Sequence, residues 1–163
     1  MLKQMLDHST KIDREQSLTQ TALQLAAEID SPPIINLLVQ HGVPVNALDP
    51  QGRTPLHYAY QFGSLKAAKR LCEYNVHLEA RDSGGNTPFL ITTSFDQVAI
   101  AEFLVSLQVD TWAVDQLGNN GFLLAARSPN PGTVMMEVLI QTFRLSSFSR
   151  AVMDSLTSPE LRV

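Results

Sequence analysis

The sequence has little cysteine, no excess of positive charge and no long apolar run, and each shortage excludes a class of protein. A single cysteine, Cys72, rules out an internal disulfide framework and suits a reducing compartment, the cytoplasm or the nucleus. Twelve Lys and Arg residues against sixteen Asp and Glu residues give a net charge of −4, which argues against nucleic acid as a partner. The longest uncharged run, 31–48, contains prolines, a glycine and polar residues, so we expect no membrane span. The first eight residues contain no apolar segment of signal-peptide length.

Motifs that carry catalytic or metal chemistry are also missing. The sequence has neither a Gly-x-Ser-x-Gly nucleophile motif nor a Gly-x-x-x-x-Gly-Lys phosphate loop. Four histidines and one cysteine are the candidate soft metal ligands: His8, His41, His57, His77 and Cys72. Their spacing forms none of the Cys-x-x-Cys, His-x-x-x-His or His-Glu-x-x-His groups that zinc sites use. We therefore expect no enzymatic activity, no cofactor and no bound metal.

The dominant feature that is present is an internal repeat of 33 residues. One six-residue segment recurs at this step, as Thr-Ala-Leu-Gln-Leu-Ala at 21–26, Thr-Pro-Leu-His-Tyr-Ala at 54–59, Thr-Pro-Phe-Leu-Ile-Thr at 87–92 and, more faintly, Asn-Gly-Phe-Leu-Leu-Ala at 120–125. Three aspartates keep the same step, and each begins an Asp-x-x-Gly turn: Asp49, Asp82 and Asp115. Periods of this length indicate a solenoid, in which each repeat packs only on its neighbours.

Each repeat is predicted to contain a turn, a short helix, a second turn and a second helix. In the turn that begins at Asp49, Gly52 supplies the positive φ that a tight turn needs. Thr54 is then placed to cap the first helix, and Pro55 takes the first helical position, where no N–H is required. Gly42 is expected to close the second helix of the preceding repeat in a left-handed conformation.

The Asp-x-x-Gly-x-Thr-Pro-Leu-His-x-Ala motif at 49–59, with Val-Asn-Ala at 45–47, resembles the ankyrin repeat family. The resemblance covers roughly residues 1 to 142 and implies an all-α solenoid of helix-turn-helix repeats with projecting turns. It also implies that His57 bridges the Thr54 hydroxyl and neighbouring backbone. The first repeat departs from the motif at Ala22 and Gln24, and the fourth has Asn-Gly at 120–121 where the family has Thr-Pro.

The repeat register divides the chain into six predicted segments. They are an N-terminal half-repeat at 1–15, repeats at 16–48, 49–81 and 82–114, a degenerate repeat at 115–142, and a C-terminal helical cap and tail at 143–163. The half-repeat is either a natural cap or the remainder of a repeat cut from a longer protein. The cap is expected from the helical spacing of Leu145, Phe148, Val152 and Leu156.

The resemblance implies a non-catalytic protein–protein interaction scaffold or adaptor, which binds a protein or peptide in the concave groove formed by the turns and the first helices. The alternative is a regulatory or targeting ankyrin segment of a larger multidomain protein, such as an enzyme, a channel or a microbial effector. In either case we expect a protein partner, no nucleic acid and no membrane, and a chain that is monomeric by itself.

Large apolar residues recur at one position that this register places on the groove. They form a possible ladder, Ile29, Phe62 and Phe95, which Tyr60, Leu48 and Leu117 would widen. Polar candidates for the same surface are Gln51, Arg53, Gln61, Arg81, Asn86 and Gln116. Exposed apolar surface with a polar rim is typical of a protein-binding patch. The alternative is that each ladder side chain folds back into the core of its own helix pair.

Asn46 is a candidate for modification. Its Val-Asn-Ala context is similar to the segment that asparaginyl hydroxylases modify in ankyrin repeats, and the resemblance therefore implies a possible hydroxylation site. The alternative is that the asparagine serves as a hydrogen-bonding residue within its loop.

Overall fold

The computed structural model describes residues 18, 20–127, 135–142 and 144. These residues form eight helices and contain no strand. The helices are α1 (20–28), α2 (Pro32–Gln40), α3 (Pro55–Gln61), α4 (Leu65–Cys72), α5 (Pro88–Ser94), α6 (Val98–Ser106), α7 (Gly121–Arg127) and α8 (135–142). The predicted N-terminal half-repeat lies outside the described residues, and so does the C-terminal cap apart from residue 144.

The helices pair along the chain and stack in two layers. In the first layer α3 packs against α5 and α5 against α7, while in the second layer α2 packs against α4. Within each pair the helices also contact each other, as α3 with α4 and α5 with α6. One continuous apolar core runs through the stack, and its most buried members include Leu23, Leu56, Leu71, Phe89 and Leu104. The all-α repeat architecture predicted from the 33-residue period is confirmed.

The first helices begin as the Thr-Pro motif predicts. Thr54 and Thr87 are the extended N-cap residues of α3 and α5, and Pro55 and Pro88 follow at the first helical position. The glycines of the three Asp-x-x-Gly turns all have φ between +74° and +77°. An L side chain is disfavoured there, so glycine is required by the backbone conformation. Gly42 has φ +83° at the end of α2, which confirms the predicted left-handed cap.

The tight turns between paired helices also have a left-handed residue at a constant step: Asp30, Gly63 and Asp96. The Oδ1 atom of Asp30 accepts the Ala67 N–H at 2.7 Å and so caps the second helix of the following pair. Gly63 has no side chain, and the Gln97 side chain from the following pair occupies the space where a Cβ would lie. Two equivalent junctions of the stack are therefore held by different side chains.

Candidate interaction surface

Asp49 holds the first projecting turn in shape and connects it to α3. Its Oδ1 accepts the backbone N–H groups of Gln51 and Arg53, each at 2.8 Å. Its Oδ2 accepts the Arg53 Nε–H and the Tyr58 hydroxyl, again at 2.8 Å. Burial alone would raise the pKa of Asp49, but hydrogen bonds from Arg53 and Tyr58 together lower that pKa below its ordinary value. The carboxylate is therefore charged at neutral pH, and both of its oxygens accept hydrogen bonds from the turn and from α3.

The second and third turns are held in a similar way, with an asparagine as the side-chain partner. Asp82 accepts the backbone N–H of Asn86 at 2.9 Å, and the Asn86 amide reaches both carboxylate oxygens at 3.0 Å. Asp115 accepts the backbone N–H of Asn119 at 2.8 Å and its side-chain amide at 2.7 Å. The Asn119 amide lowers the pKa of the Asp115 carboxyl. Each turn carboxylate is thus satisfied within its own turn.

The turns are also hydrogen-bonded to one another along the stack. The Ser83 N–H donates to the Gln51 carbonyl at 2.8 Å and joins the second turn to the first. The Gln116 N–H donates to the Gly84 carbonyl at 3.0 Å and joins the third turn to the second. The projecting turns therefore form one preformed row, and a partner that binds along it does not have to order separate loops.

Arg81 adds a side-chain link between the second and third turns. Its Nη1 group donates to the Gly85 carbonyl and to the Val114 carbonyl, both at 2.7 Å. The residue is nevertheless exposed. Leu48 and Val114 occupy the equivalent position one repeat before and one repeat after it, and both side chains are exposed. A fixed guanidinium thus lies between two exposed apolar side chains on the row of turns.

The three residues of the predicted apolar ladder all expose about half or more of their surface. The exposed fraction is 63% for Ile29, 49% for Phe62 and 50% for Phe95. Each of them follows directly on the end of a first-layer helix. The alternative, in which these side chains fold back into the core, is wrong. Leu117, expected to widen the ladder, is 84% exposed at the tip of the third turn.

A second row of apolar residues was not predicted from the sequence. Leu25, Tyr58 and Ile91 lie four residues before the three ladder residues, and therefore on the same helix face. Leu25 is exposed and Tyr58 is half-buried, whereas Ile91 is buried. Apolar residues four positions apart in each first-layer helix were the sequence signal that could have predicted this row.

The prediction that Tyr60 belongs to the exposed surface is wrong. Its side chain is completely buried, because α3 is covered by α4 on one side and by α5 on another. The hydroxyl lies 4.0 Å from the Cys72 sulfur. Burial raises the pKa of Tyr60 and also that of the Cys72 thiol, so both groups remain protonated at neutral pH. Cys72 is therefore not a thiolate nucleophile.

The polar candidates fall into two groups. The donor groups of Arg53 and Asn86 are used inside their turns, which makes these residues structural parts of the surface. Gln51, Gln116 and Arg81 are exposed on the turns, whereas Gln61 is half-buried at the end of α3.

Asn46 lies in the loop between the first two repeats and is half-buried. Its Oδ1 accepts the His77 N–H at 2.9 Å and joins this loop to the next one along the chain. Asn46 is therefore a hydrogen-bonding residue, but its bond joins two loops and does not lie within its own loop, as the alternative had it. Hydroxylation of its side chain stays a prediction.

An apolar cavity of about 540 Å³ lies between α7, α8 and the chain before the third turn. It is lined by Trp112, Asn120, Phe122, Leu123 and Ile140. None of the predicted partner-binding residues lines it, so it is separate from the ladder. No group of three or more His, Cys, Asp or Glu residues in the described part of the chain could hold a metal ion. His41, one of the candidate ligands, instead places its Nδ1 2.8 Å from the Leu37 carbonyl.

Paired helices stacked in two layers, with a row of projecting turns on one edge, define a helical repeat protein. A family model for ankyrin repeats matches residues 1–82 as three copies, about half of the sequence, and the chain belongs to the ankyrin repeat family. No curated protein matches the chain. Ankyrin repeats generally mediate protein–protein interaction, and such domains are typically non-catalytic. None of the helices among the described residues is long and apolar enough to cross a membrane.

The family match ends at residue 82, but the turn geometry continues beyond it. The turn that begins at Asp115 has the same positive-φ glycine, the same carboxylate hydrogen bonds and the same link to its neighbour as the turns before it. The row of turns therefore extends through residue 119.

Proposed function

We propose that this chain is a non-catalytic interaction scaffold that binds a protein or peptide along its first-layer helices and projecting turns. The observation that carries the proposal is the ladder of Ile29, Phe62 and Phe95, which are exposed at one position of three successive repeats. The proposal keeps the predicted division of the array into repeats at 16–48, 49–81, 82–114 and 115–142.

The ladder leaves three large apolar side chains exposed to water. Contact of large apolar side chains with water is unfavourable, by roughly 25 cal/mol for each Å² left exposed. A row of them at the same position of consecutive repeats makes a contiguous apolar strip, and such strips mark protein-binding sites when polar residues surround them. Gln51, Arg81 and Gln116 supply the polar surroundings on the adjacent turns. The hydrogen-bonded turns keep the strip in one shape and so lower the ordering cost of association.

Replacing Phe62 with alanine tests this function. We expect partner binding to weaken about tenfold or more, because a central aromatic side chain is a typical hot spot. The free energy of unfolding should change by less than about 1 kcal/mol, because the ring is already half exposed. The measurements are quantitative capture of interacting proteins by wild-type and variant protein, and thermal melting of both.

Leu37 provides the matched control, since it is an exposed apolar residue on α2 in the second layer. Leu37→Ala should leave captured proteins unchanged. Equal losses from the Phe62 and Leu37 variants would show that exposed apolar surface binds without preference, and the proposal would then be wrong. A large loss of stability in Phe62→Ala, with binding intact, would contradict it equally.

We also propose that Asn46 is hydroxylated, on the basis of its Val-Asn-Ala context. Incubation with an asparaginyl hydroxylase and its co-substrates is expected to add the mass of one oxygen atom, as measured by intact mass spectrometry. Asn46→Ala is the control and should gain nothing. Because the amide accepts the His77 N–H, we expect faster modification when the array is partly unfolded by mild denaturant. An unchanged mass in both the folded and the partly unfolded protein would exclude Asn46 as a substrate.

A further inference from the structure

We propose that Arg81 is a specificity-determining residue of this surface and that it binds a carboxylate side chain of the partner flanked by apolar residues. The inference rests on the proposed function, because it concerns the partner that the scaffold binds.

Arg81 differs from Arg53 in which nitrogen atoms of its guanidinium group already have hydrogen-bond partners. In Arg53 the edge formed by Nε and Nη2 is occupied, since Nε donates to Asp49 at 2.8 Å and Nη2 donates to the Tyr58 hydroxyl at 2.6 Å. In Arg81 only Nη1 is used, in its two bonds to backbone carbonyls. The Nε and Nη2 edge of Arg81 has no partner among the described residues. That edge presents two parallel donors, the arrangement that binds a carboxylate in bidentate fashion.

Arg81 is also held in place before any partner arrives. Its two bonds of 2.7 Å join it to the second and third turns, which are themselves hydrogen-bonded to each other. A long side chain ordinarily loses rotamer freedom when it forms an ion pair, and this loss reduces the value of exposed pairs. Much of that loss has already occurred here, so the guanidinium is prepared to accept an anion.

The surroundings favour an acidic protein side chain over a phosphate of nucleic acid or lipid. Phosphate-rich partners are bound by several cations together, but the positions equivalent to Arg81 in the neighbouring repeats are Leu48 and Val114. Each turn also contains an aspartate, so a chain of phosphates along the row would meet several carboxylates and be repelled more strongly than a single carboxylate. A single carboxylate placed between two apolar side chains matches this row in both charge and polarity.

The spacing of the row limits the sequence of the partner. Packed helices lie about 8–10 Å apart, and we take this as the distance between equivalent turn residues. A polyproline II segment covers that distance in about three residues and an α-helix in about six. The partner should therefore carry Asp or Glu, with apolar residues about three positions to either side in an extended segment or about six in a helix.

The test uses a random peptide library selected on the wild-type protein, followed by a double-mutant cycle. We expect the selected peptides to share one acidic position at the predicted spacing from apolar ones. Arg81→Gln in the protein, or acid→amide in the peptide, should each weaken binding by at least about tenfold, because each change disrupts a charge-assisted bidentate contact. The two changes together should cost no more than either one, because both remove the same contact.

The peptide change leaves the protein untouched, so it tests the contact even if Arg81→Gln is poorly folded. Arg70→Gln on α4 is the control and should not alter binding, since Arg70 pairs with Glu73. Additive effects in the cycle, or selected peptides without an acidic position, would overturn the role of Arg81. If those peptides still depend on Phe62, the proposed function stands without this inference. Peptides that depend on neither residue, or no selected peptide at all, would contradict both.

Discussion

Replacing Tyr60 with alanine is expected to lower the free energy of unfolding by about 3–5 kcal/mol, the usual cost of removing a buried aromatic side chain. Tyr60 lies on α3 and is completely buried where α3 packs against α4 and α5. Removing its ring would therefore leave a cavity in the core. Native proteins have a total stability of only about 5–15 kcal/mol, so this loss would remove a large part of it. Urea denaturation followed by circular dichroism measures the change.

Two companion variants separate burial from the chemistry of the hydroxyl. Tyr60→Phe keeps the ring and removes a hydroxyl whose neighbour is the Cys72 sulfur at 4.0 Å, so it should cost less than about 1 kcal/mol. Phe62→Ala removes a ring of similar size, only two residues away, that is half exposed. Similar losses of stability from Tyr60→Ala and Phe62→Ala would mean that the contrast in their burial is incorrect.

Replacing His57 with leucine should have the second largest effect. His57 is fully buried, its Nδ1 accepts the Thr54 N–H at 3.0 Å, and the same nitrogen lies 2.8 Å from the Thr54 hydroxyl. Leucine fills a similar volume but leaves the Thr54 groups buried and unpaired at the start of α3. We expect a loss of about 2–3 kcal/mol, because an unsatisfied buried donor costs about 1–3 kcal/mol.

His57 also predicts how stability depends on pH. Burial lowers its pKa below the ordinary value of 6.5, and interaction with the backbone of Asn86 opposes this shift only in part. The unfolded chain therefore takes up a proton at a higher pH than the folded chain does. Stability should fall as pH drops below about 6.5, by up to about 1.4 kcal/mol per pH unit, until the folded pKa is passed.

The pH dependence is measured as the free energy of unfolding at several values between about pH 5 and pH 7.5. In His57→Leu the slope in this range should become smaller. His77→Gln, at an exposed histidine, is the control and should retain the wild-type slope. The lowered pKa of Asp49 acts in a separate range, because its contribution is lost only as pH falls below about 3.8. A wild-type protein whose stability is constant from pH 7.5 to 5 would contradict the role given to His57.

The features of the fold that depend on backbone chemistry were predictable from the sequence. Gly52 fixes a turn because few other residues tolerate its φ of +74°, and Pro55 fixes a helix start because it lacks an N–H. Such constraints act locally, so their recurrence every 33 residues predicts a stack of units with the same backbone conformation. The His57–Thr54 bridge was implied by the resemblance to ankyrin repeats, and the structure contains it.

Exposed residues of the candidate surface could be predicted from the sequence only where they lie at the end of a helix. Ile29, Phe62 and Phe95 lie where the first-layer helices stop, and there the chain leaves the core. Tyr60 lies inside a helix of seven residues that is packed on two sides, so nearly its whole circumference is buried and the sequence period cannot show which residues are exposed. The fixed orientation of Arg81 depends on carbonyl groups of two different turns, one of them 33 residues away. No local pattern encodes such a contact.

The junctions between repeats at Asp30 and Gly63 limit which repeats can be duplicated or exchanged by engineering. Asp30 needs the Ala67 N–H of its successor, and Gly63 needs the Gln97 side chain of its own successor. A tandem duplication of residues 49–81 would place Ser64 where Gln97 belongs, and the short hydroxymethyl group would leave a hole beside glycine. Repeats that are similar in sequence therefore cannot replace one another singly. Engineered arrays should move two neighbouring repeats together, so that the side chains at their junction are kept.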